Sequence, residues 1–499
     1  MKLEDRVIAW LAQQEAQSYL VGGCVRDRLL KRRTYDLDVA TTGDGLSMAR
    51  HLANHFGGDY YPLDTERSTG RAILYREGEA RLVVDVARLR GSDLASDLAD
   101  RDFTINALAM DFRSLGTIID HHGGCSDLEA CLIRPVSDAS IRSDPVRALR
   151  GVRLAAQLNF RLAPETENLI RRDGAALSEV SGERVRDELA HLLKLACAGP
   201  YLNRLDELGL LTIVLPELEP LRDLPQPPPH YLNGLAHSLE TVCTLEVLLD
   251  EVLGVRGKGH GSDCREEKAP GAGPPDSRTF GPLVPYSERL ESHFGQTMSD
   301  ARPRVVVLKL AALLHDTGKP GTRTQGEDGQ IHFIGHEQKG AKIAAEALRR
   351  LRFSQPEVRL AETIVCHHMR PLLLAKQGTV SSRAVYRFFR DTGEAGVDVL
   401  LHALADHWAT YPPDREDDQG ERLAALTARM LEDCWQHHAE RVEPPVLVDG
   451  HDLMREFGLP PGPQIGDLLE TVREAQVSGQ VRTRDEAFIL IRSALADKA

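Results

Sequence analysis

Leu20-Val-Gly-Gly-Cys-Val-Arg-Asp27, followed by Tyr35-Asp36-Leu37-Asp38-Val39-Ala40, is the stretch whose reading decides the fold of the amino-terminal part of the chain. The apolar run Tyr19–Val21 ends on Gly22 and Gly23 directly ahead of a helical segment. Bare backbone N–H groups can approach a phosphate there, and Arg26 adds a charged fork, although a Gly-Gly pair alone also makes an ordinary tight turn. In the second segment, period-2 geometry puts Asp36 and Asp38 on one face of a strand and Leu37 on the core face. Two carboxylates in one small volume repel and raise one pKa; Mg²⁺ ions relieve this and supply charge for in-line attack on an α-phosphate. The plainer reading is a solvated Asp-x-Asp at a strand end. Asp85 ends the run Arg81-Leu-Val-Val-Asp85, where it could complete a metal site, accept a proton or simply sit in a turn.

Outward from these segments, residues from about 18 to 135 alternate short apolar runs with helical stretches such as Gly45–Phe56, the pattern of an α/β unit. Beyond Asp144 period-3.6 segments take over (Val146–Leu158, Arg184–Ala196, Tyr201–Leu208), and the chain reads as helical almost to its end. Leu224-Pro-Gln-Pro-Pro-Pro-His230 looks like a linker. Residues from about 254 to 281 are so poor in apolar side chains that a disordered surface insertion is expected. The resulting division is a catalytic head at 1–140, a helical neck at 141–225, a third domain at 226–412 and a helical tail at 413–499. At 499 residues several cores are needed, and 42% apolar with 27% charged residues suits a globular protein.

The net charge is −14, which repels a polyanion unless a local basic patch receives it. The mixed charges of Met-Lys-Leu-Glu-Asp-Arg at the start and the short, Lys309-interrupted run Val305–Leu314 give neither a signal peptide nor a membrane span, so a cytoplasmic location without membrane partners is expected. The eight cysteines form no C-x-x-C pair and read as free thiols.

Arg101-Asp-Phe-Thr-Ile-Asn-Ala and Asp144-Pro-Val-Arg147-Ala-Leu-Arg150-Gly-Val-Arg153 continue the order begun by Val21-Gly-Gly and Asp36-Leu-Asp38. Together, over roughly residues 18 to 220, they resemble bacterial CCA-adding tRNA nucleotidyltransferases and their poly(A) polymerase relatives. The resemblance implies an α/β nucleotidyltransferase head with a mixed sheet, followed by all-α neck, HD and tail domains. It also implies that Gly22, Gly23 and Arg26 hold a triphosphate, that Asp36 and Asp38 hold Mg²⁺, and that Arg101, Asp144, Arg147, Arg150 and Arg153 contact the incoming nucleotide. A carboxylate only accepts and a guanidinium only donates. Asp144 and Arg147 therefore suit an edge with an amine beside a ring nitrogen, which cytosine and adenine share and uracil and guanine lack. Asp144 is alternatively a helix N-cap ahead of Pro145, and the arginines a solvated face. The family usually has Glu-Asp where this chain has Ser143-Asp144, and a second basic residue where it has Asp100.

His237-Ser-Leu-Glu-Thr, Ala312-Leu-Leu-His315-Asp316-Thr-Gly-Lys-Pro320 and Leu404-Ala-Asp406 resemble the HD family of metal-dependent phosphohydrolases. His237, His315, Asp316 and Asp406 would hold a divalent transition metal, and His336, His367 and His368 a second ion. Gly318 and Pro320 end the apolar helix, so the His-Asp pair is expected at an exposed helix end. The tail, including Val446-Leu-Val-Asp-Gly-His-Asp-Leu-Met454, looks like the part of such enzymes that grasps the tRNA body.

The implied partners are a tRNA 3′ end, CTP and ATP. Rival readings are a poly(A) polymerase, or an RNA-binding protein whose only active site is the HD domain. In full CCA-adding relatives a longer flexible loop stands where this chain has Ala87-Arg-Leu-Arg-Gly-Ser-Asp-Leu-Ala-Ser-Asp97. So short a segment points to a CC-adding enzyme that leaves the last A to a separate A-adding partner.

Overall fold

The structure is a computed structural model that describes residues 2–34, 36–75, 81–114, 117–254, 280–299, 302–327, 329–412 and 418–496. Residues 255–279 of the expected insertion lie outside the described residues. Contacts divide the chain into two compact units, one of Met1–Leu189 with Arg204–Val214 and one of Ala190–Asn203 with Leu215–Ala499.

The first unit is built on seven strands: β1 (Ser18–Val21), β2 (Asp36–Thr41), β3 (Asp59–Asp64), β4 (Thr69–Leu74), β5 (Leu82–Arg88), β6 (Leu108–Asp111) and β7 (Ile118–Asp120). They form one mixed sheet in the order β3-β4-β5-β2-β1-β6-β7. Neighbours run antiparallel except β2 and β5, which are parallel. Parallel strands need a crossover. Here it is the helix Gly45–Phe56 followed by the β3–β4 hairpin. Asp44 caps that helix by accepting from Leu46 N–H, Gly57 closes it in the left-handed conformation, and Met48, Ala49, Leu52 and Ala53 form its buried stripe. The expected alternation holds along β2: Leu37 and Val39 are buried while Asp36 and Asp38 are open.

Helices then take over, with Val146–Leu158, Pro164–Asp173 and Gly182–Leu193 carrying the arginine-rich segment and what packs on it. Among its described residues the second unit is helical apart from the short ladders Thr297–Ser299 with Arg302–Pro303 and Thr324–Gln325 with Ile331–His332. Five helices matter for its chemistry: Gly234–Leu253, Arg304–Leu314, His336–Arg350, Gln355–His367 and Gly396–Thr410. The carboxyl-terminal helices hold a core of their own, with Leu453, Leu468, Val472, Ala487 and Ile491 at its centre. No described helix is long and apolar enough to cross a membrane.

Candidate functional sites

In the head, strand register does the positioning. Asp38 pairs with Asp85 across the parallel β2–β5 ladder, and Asp85 pairs with Arg71 across β4–β5, so the three side chains form one row across three strands. Arg71 grips both Asp85 oxygens, at 2.7 and 2.8 Å. Asp38 keeps open surface at the strand end, but packing around its carboxyl and then the charge of Asp85 push its pKa up to about 6. A cation between such carboxylates removes that repulsion, which is the fit expected of a Mg²⁺ site.

Above this row, Gly22 turns with φ +78°, and a Cβ there would meet the Arg101 guanidinium at 2.7 Å and Asp38 at 3.8 Å. The loop therefore needs glycine both for its conformation and for the approach of Arg101. Arg101 is steered by Asp97 at 2.9 Å. Arg26 lies buried over Gly23 and donates to Asn106 at 2.7 Å and to Asp27 at 2.9 Å.

The segment from Asp144 to Arg153 is divided between pocket and scaffold. A pocket of about 550 Å³ is lined by Arg67, Arg90, Ser143, Asp144, Arg147 and Arg150, among others. The Asp144 side chain does not cap the helix after Pro145; it bonds Arg184 at 2.7 Å. Arg147 is buried and donates to the carbonyls of Asp100 at 2.7 Å and Ser140 at 3.2 Å, while its Nε has no hydrogen bond. Arg150 and Arg153 share Glu188, at 2.7 and 2.6 Å, and Arg150 also reaches Asp102 at 3.2 Å. Burial pushes the Asp102 carboxyl up, but Arg150, Asn106 and the Phe103 N–H outweigh it and hold it below the usual carboxylate range. Arg153 does not line the pocket; its remaining bond is to Gln157 at 2.8 Å. Glu188, Arg184 and Arg71 escaped the reading of the sequence. Arg71 carried a usable signal, since it faces the same way as Thr69 on an alternating strand, whereas Glu188 lies on a distant helix with no local pattern to mark it.

In the second unit the His-Asp pair is not at an exposed helix end: His315 and Asp316 are each only 1% exposed. The expectation failed because neighbouring helices roof over the terminus of Arg304–Leu314. Gly318 permits this, since a Cβ there would lie 2.0 Å from the His336 carbonyl. His237 Nε2 stands 2.9 Å from Asp406 Oδ1 and 3.7 Å from Asp316 Oδ2. His315 Nε2 stands 3.3 Å from that Asp316 oxygen and 3.5 Å from Asp406 Oδ1. Two triads have ligand atoms close enough to share an ion, His237 with His315 and Asp406, and His315 with Asp316 and His368, so the cluster has the donors for a divalent cation. Asp316 Oδ1 faces the other way, 3.6 Å from His336 Nε2, which in turn is 3.3 Å from His368 Nε2.

The Nδ1 atoms of His315, His336 and His368 each meet the carbonyl three residues earlier at 2.7–2.8 Å, which leaves Nε2 as the free donor. Burial and the neighbouring histidines push His368 down to about 3 and His402 well below its usual value, so both are neutral as ligands must be. Burial works against charge on His315 too, but Asp316 and Asp406 overcome it and raise its pKa to about 10, a field that a cation would satisfy. His315 Nε2 and Asp316 Oδ1 lack hydrogen-bond partners, while Asp316 Oδ2 is ion-paired with Lys319. His367 stands apart: the charged groups it senses are Arg370 and Asp391. His402 was overlooked. Its ring is 5.0 Å from His315, neither of its nitrogens has a hydrogen bond, and its spacing of four from Asp406 on one helix was the available signal. Lys319, 2.6 Å from Asp316, was overlooked as well.

Comparison with known proteins matches this division of labour. Residues 18–134 match the poly A polymerase head domain, 159–221 the "Probable RNA and SrmB- binding site of polymerase A", 286–423 the HD domain and 419–491 the tRNA nucleotidyltransferase domain 2. A CC-adding tRNA nucleotidyltransferase of Geobacter sulfurreducens is 31% identical over 94% of this chain and 90% of its own length. An A-adding tRNA nucleotidyltransferase of Deinococcus radiodurans is 32% identical over 95% and 94%. The fold is that of the Thermotoga maritima CCA-adding enzyme complexed with tRNA (TM-score 0.60, 19% identity, 99% of this chain and 96% of that one). A poly A polymerase-type head joined to an HD domain is thus the class of protein. Within it, the chain belongs to the tRNA nucleotidyltransferase family and is an enzyme.

Proposed function

We propose that the head adds cytidylates from CTP to the 3′ end of a cytoplasmic tRNA and stops before the terminal adenylate, which a separate A-adding enzyme supplies. The tRNA 3′-hydroxyl attacks the α-phosphate, a new P–O bond forms, the bond to the β-phosphate breaks and pyrophosphate leaves. Asp36 and Asp38, with Asp85 beside them, would hold Mg²⁺, which supplies electrophilic charge at the phosphate when bound. Gly22, Gly23, Arg26 and Arg101 cradle the triphosphate. Asp144, kept in place by Arg184, and Arg147 face the base, and Glu188, braced from behind by Arg153, fixes Arg150 in the wall.

The observation that carries the CC-only reading is the tight tether between β5 and the helix Leu94–Ala99. Arg90 N–H donates to Asp97 at 3.0 Å, the Arg90 side chain pairs with Asp100 at 3.0 Å, and Asp93 caps the helix by accepting from Ser96. Such a segment has little freedom to reshape a pocket from C to A. The A-adding relative supports a second reading, that this enzyme adds only the last A. Incubating the protein with CTP and ATP on tRNA lacking CCA, and separately on tRNA ending in CC, and sequencing the 3′ ends decides between them. Arrest at two cytidines is expected; a complete CCA end, or addition only to the CC-ended substrate, removes the proposal.

For the HD centre we propose a phosphohydrolase with one divalent transition metal on His237, His315, Asp316 and Asp406. A second ion would bind Asp316, His336, His368 and His402, with His367 left out. Histidine-rich donors favour a transition metal over Mg²⁺.

A further inference from the structure

The row that carries the head's carboxylates runs on past them to the edge of the sheet. Asp38 pairs with Asp85, Asp85 with Arg71, and Arg71 in turn with Tyr61 across the antiparallel β3–β4 ladder. Residues paired across neighbouring strands point to the same face, so Tyr61 shares the open face of the sheet with Asp38. The other face is the covered one: Leu37, Val84 and Ala72 are buried there, and Arg50 of the helix Gly45–Phe56 lies 4.9 Å over the Tyr60 ring. Tyr61, the next residue, is 50% exposed. Leu63 on the same strand is 48% exposed and Tyr75, just past the end of β4, 54%. The Tyr75 hydroxyl donates to Asp59 at 3.0 Å, which ties it to the start of β3. β3 is an edge strand, and an exposed apolar edge invites a strand from a second copy. Pro62 in its middle and the irregular register between Pro62 and Asp64 blunt it against that use. The aromatic side chains are then left to a partner that lies on the face of the sheet.

In-line transfer sets the entering hydroxyl and the departing pyrophosphate on opposite sides of the α-phosphate. The loop at 22–26 follows β1, on one side of β2, and the strands on the other side are β5, β4 and β3. With the triphosphate on that loop, the RNA end comes in over Asp85, Arg71 and Tyr61. By strand spacing Tyr61 is about 10 Å from Asp85 across the sheet, within reach of a nucleoside whose 3′-hydroxyl stands at the carboxylates. We propose that Tyr61 stacks on the base of the tRNA's 3′-terminal nucleotide and so positions its hydroxyl for attack. The inference rests on the triphosphate reading of the loop given above. An aromatic face accepts any base. That suits a primer whose last base changes as nucleotides are added, where a hydrogen-bonding reader would have to fit each new end.

The test uses the full-length protein and tRNA lacking CCA, with Tyr61→Leu, which keeps an apolar side chain without a ring, and Tyr61→Phe, which keeps the ring. Tyr61 is half exposed on an edge strand, so both variants should keep the wild-type unfolding midpoint. Tyr61→Leu should lower kcat/KM for tRNA about tenfold or more with the KM for CTP nearly unchanged, and Tyr61→Phe should restore it. A 4-thiouridine placed as the last nucleotide of the tRNA should crosslink on irradiation to the peptide holding Tyr61, and should lose that crosslink in Tyr61→Leu. An unchanged kcat/KM for tRNA in Tyr61→Leu, an equal loss in the Leu and Phe variants, or a crosslink confined to other segments overturns the proposal. So does a change of oligomeric state in Tyr61→Leu with no effect on tRNA, which would assign the exposed patch to a second copy. Arg26→Gln tests the underlying reading separately: it should raise the KM for CTP and keep the Tyr61 crosslink. An unchanged KM for CTP in that variant would sink the triphosphate reading of the loop, while the crosslink, which needs no catalysis, still decides whether Tyr61 meets the RNA end.

Discussion

The head and the HD domain each gather carboxylates at one place, but they treat solvent in opposite ways. Asp36 and Asp38 stand open at a strand end, whereas His315 and Asp316 are 1% exposed and roofed by helices. An ion that arrives with a nucleotide triphosphate and leaves with pyrophosphate needs donors on an open rim. A resident ion gains from enclosed donors whose tautomers are fixed by backbone carbonyls, as those of His315, His336 and His368 are. On the proposed reading, the difference separates a metal that belongs to the substrate from one that belongs to the protein.

The sharpest way to break that comparison is to empty one site at a time. Asp36→Ala or Asp38→Ala should lower incorporation by about 10³-fold or more, since an electrophilic cation is worth several kcal/mol at the phosphate. His315→Ala with Asp316→Ala should leave incorporation within a few-fold while abolishing tight metal retention through gel filtration. Loss of incorporation in that double variant, with its circular dichroism preserved, would show that the two centres are not independent.

Next in size is the wall of the head's pocket. Glu188 serves two arginines at once, so Glu188→Gln strips both of their anion and should destabilise the head by about 3 kcal/mol in a denaturant melt. Glu188→Asp should recover part of it. A melt unchanged by Glu188→Gln would mean the arginines are held by something else.

What could be read from the sequence followed the range of the interactions. The carboxylates of the head were legible because period 2 is local: Leu37 in the core commits Asp36 and Asp38 to the other face. The adjacent pair His367 and His368 was not resolved, because neighbours on a helix point about 100° apart and only the packing decides which one faces inward. In the structure His368 joins His336, and His367 faces Arg370 and Asp391. Glu188 was invisible for a different reason, since its importance comes from two arginines more than thirty residues away. Burial of the His-Asp pair was missed because a Gly and a Pro mark where a helix stops and say nothing about what covers the stop.

A smaller effect probes base choice. On the proposed role of Arg147 at the base edge, Arg147→Ala should lower the discrimination of CTP against UTP about tenfold to a hundredfold, with triphosphate affinity changed less. Because Arg147 also holds the Asp100 and Ser140 carbonyls, Arg147→Lys provides the control. An unchanged CTP to UTP ratio in both variants leaves Arg147 a purely structural residue.

The smallest expected effect is a pH dependence that belongs to the open site alone. The Asp38 carboxyl is raised from the ordinary aspartate value to about 6 by packing and by Asp85. Its ionised form is thus disfavoured in the folded state. Between about pH 4 and pH 6 the folded head binds more protons than the unfolded chain, so this group's contribution to stability falls as pH rises through that window and stays low above it. Mg²⁺ offsets the repulsion only once Asp38 is ionised. Added Mg²⁺ should therefore raise the unfolding midpoint by a few degrees at pH 7 and by clearly less at pH 5. In Asp38→Asn the pH dependence of that increment should vanish. An equal increment at both pH values in the wild type would show that Mg²⁺ stabilises the protein elsewhere, and the distinction between an open, proton-competing site and an enclosed one would then rest on exchange kinetics alone.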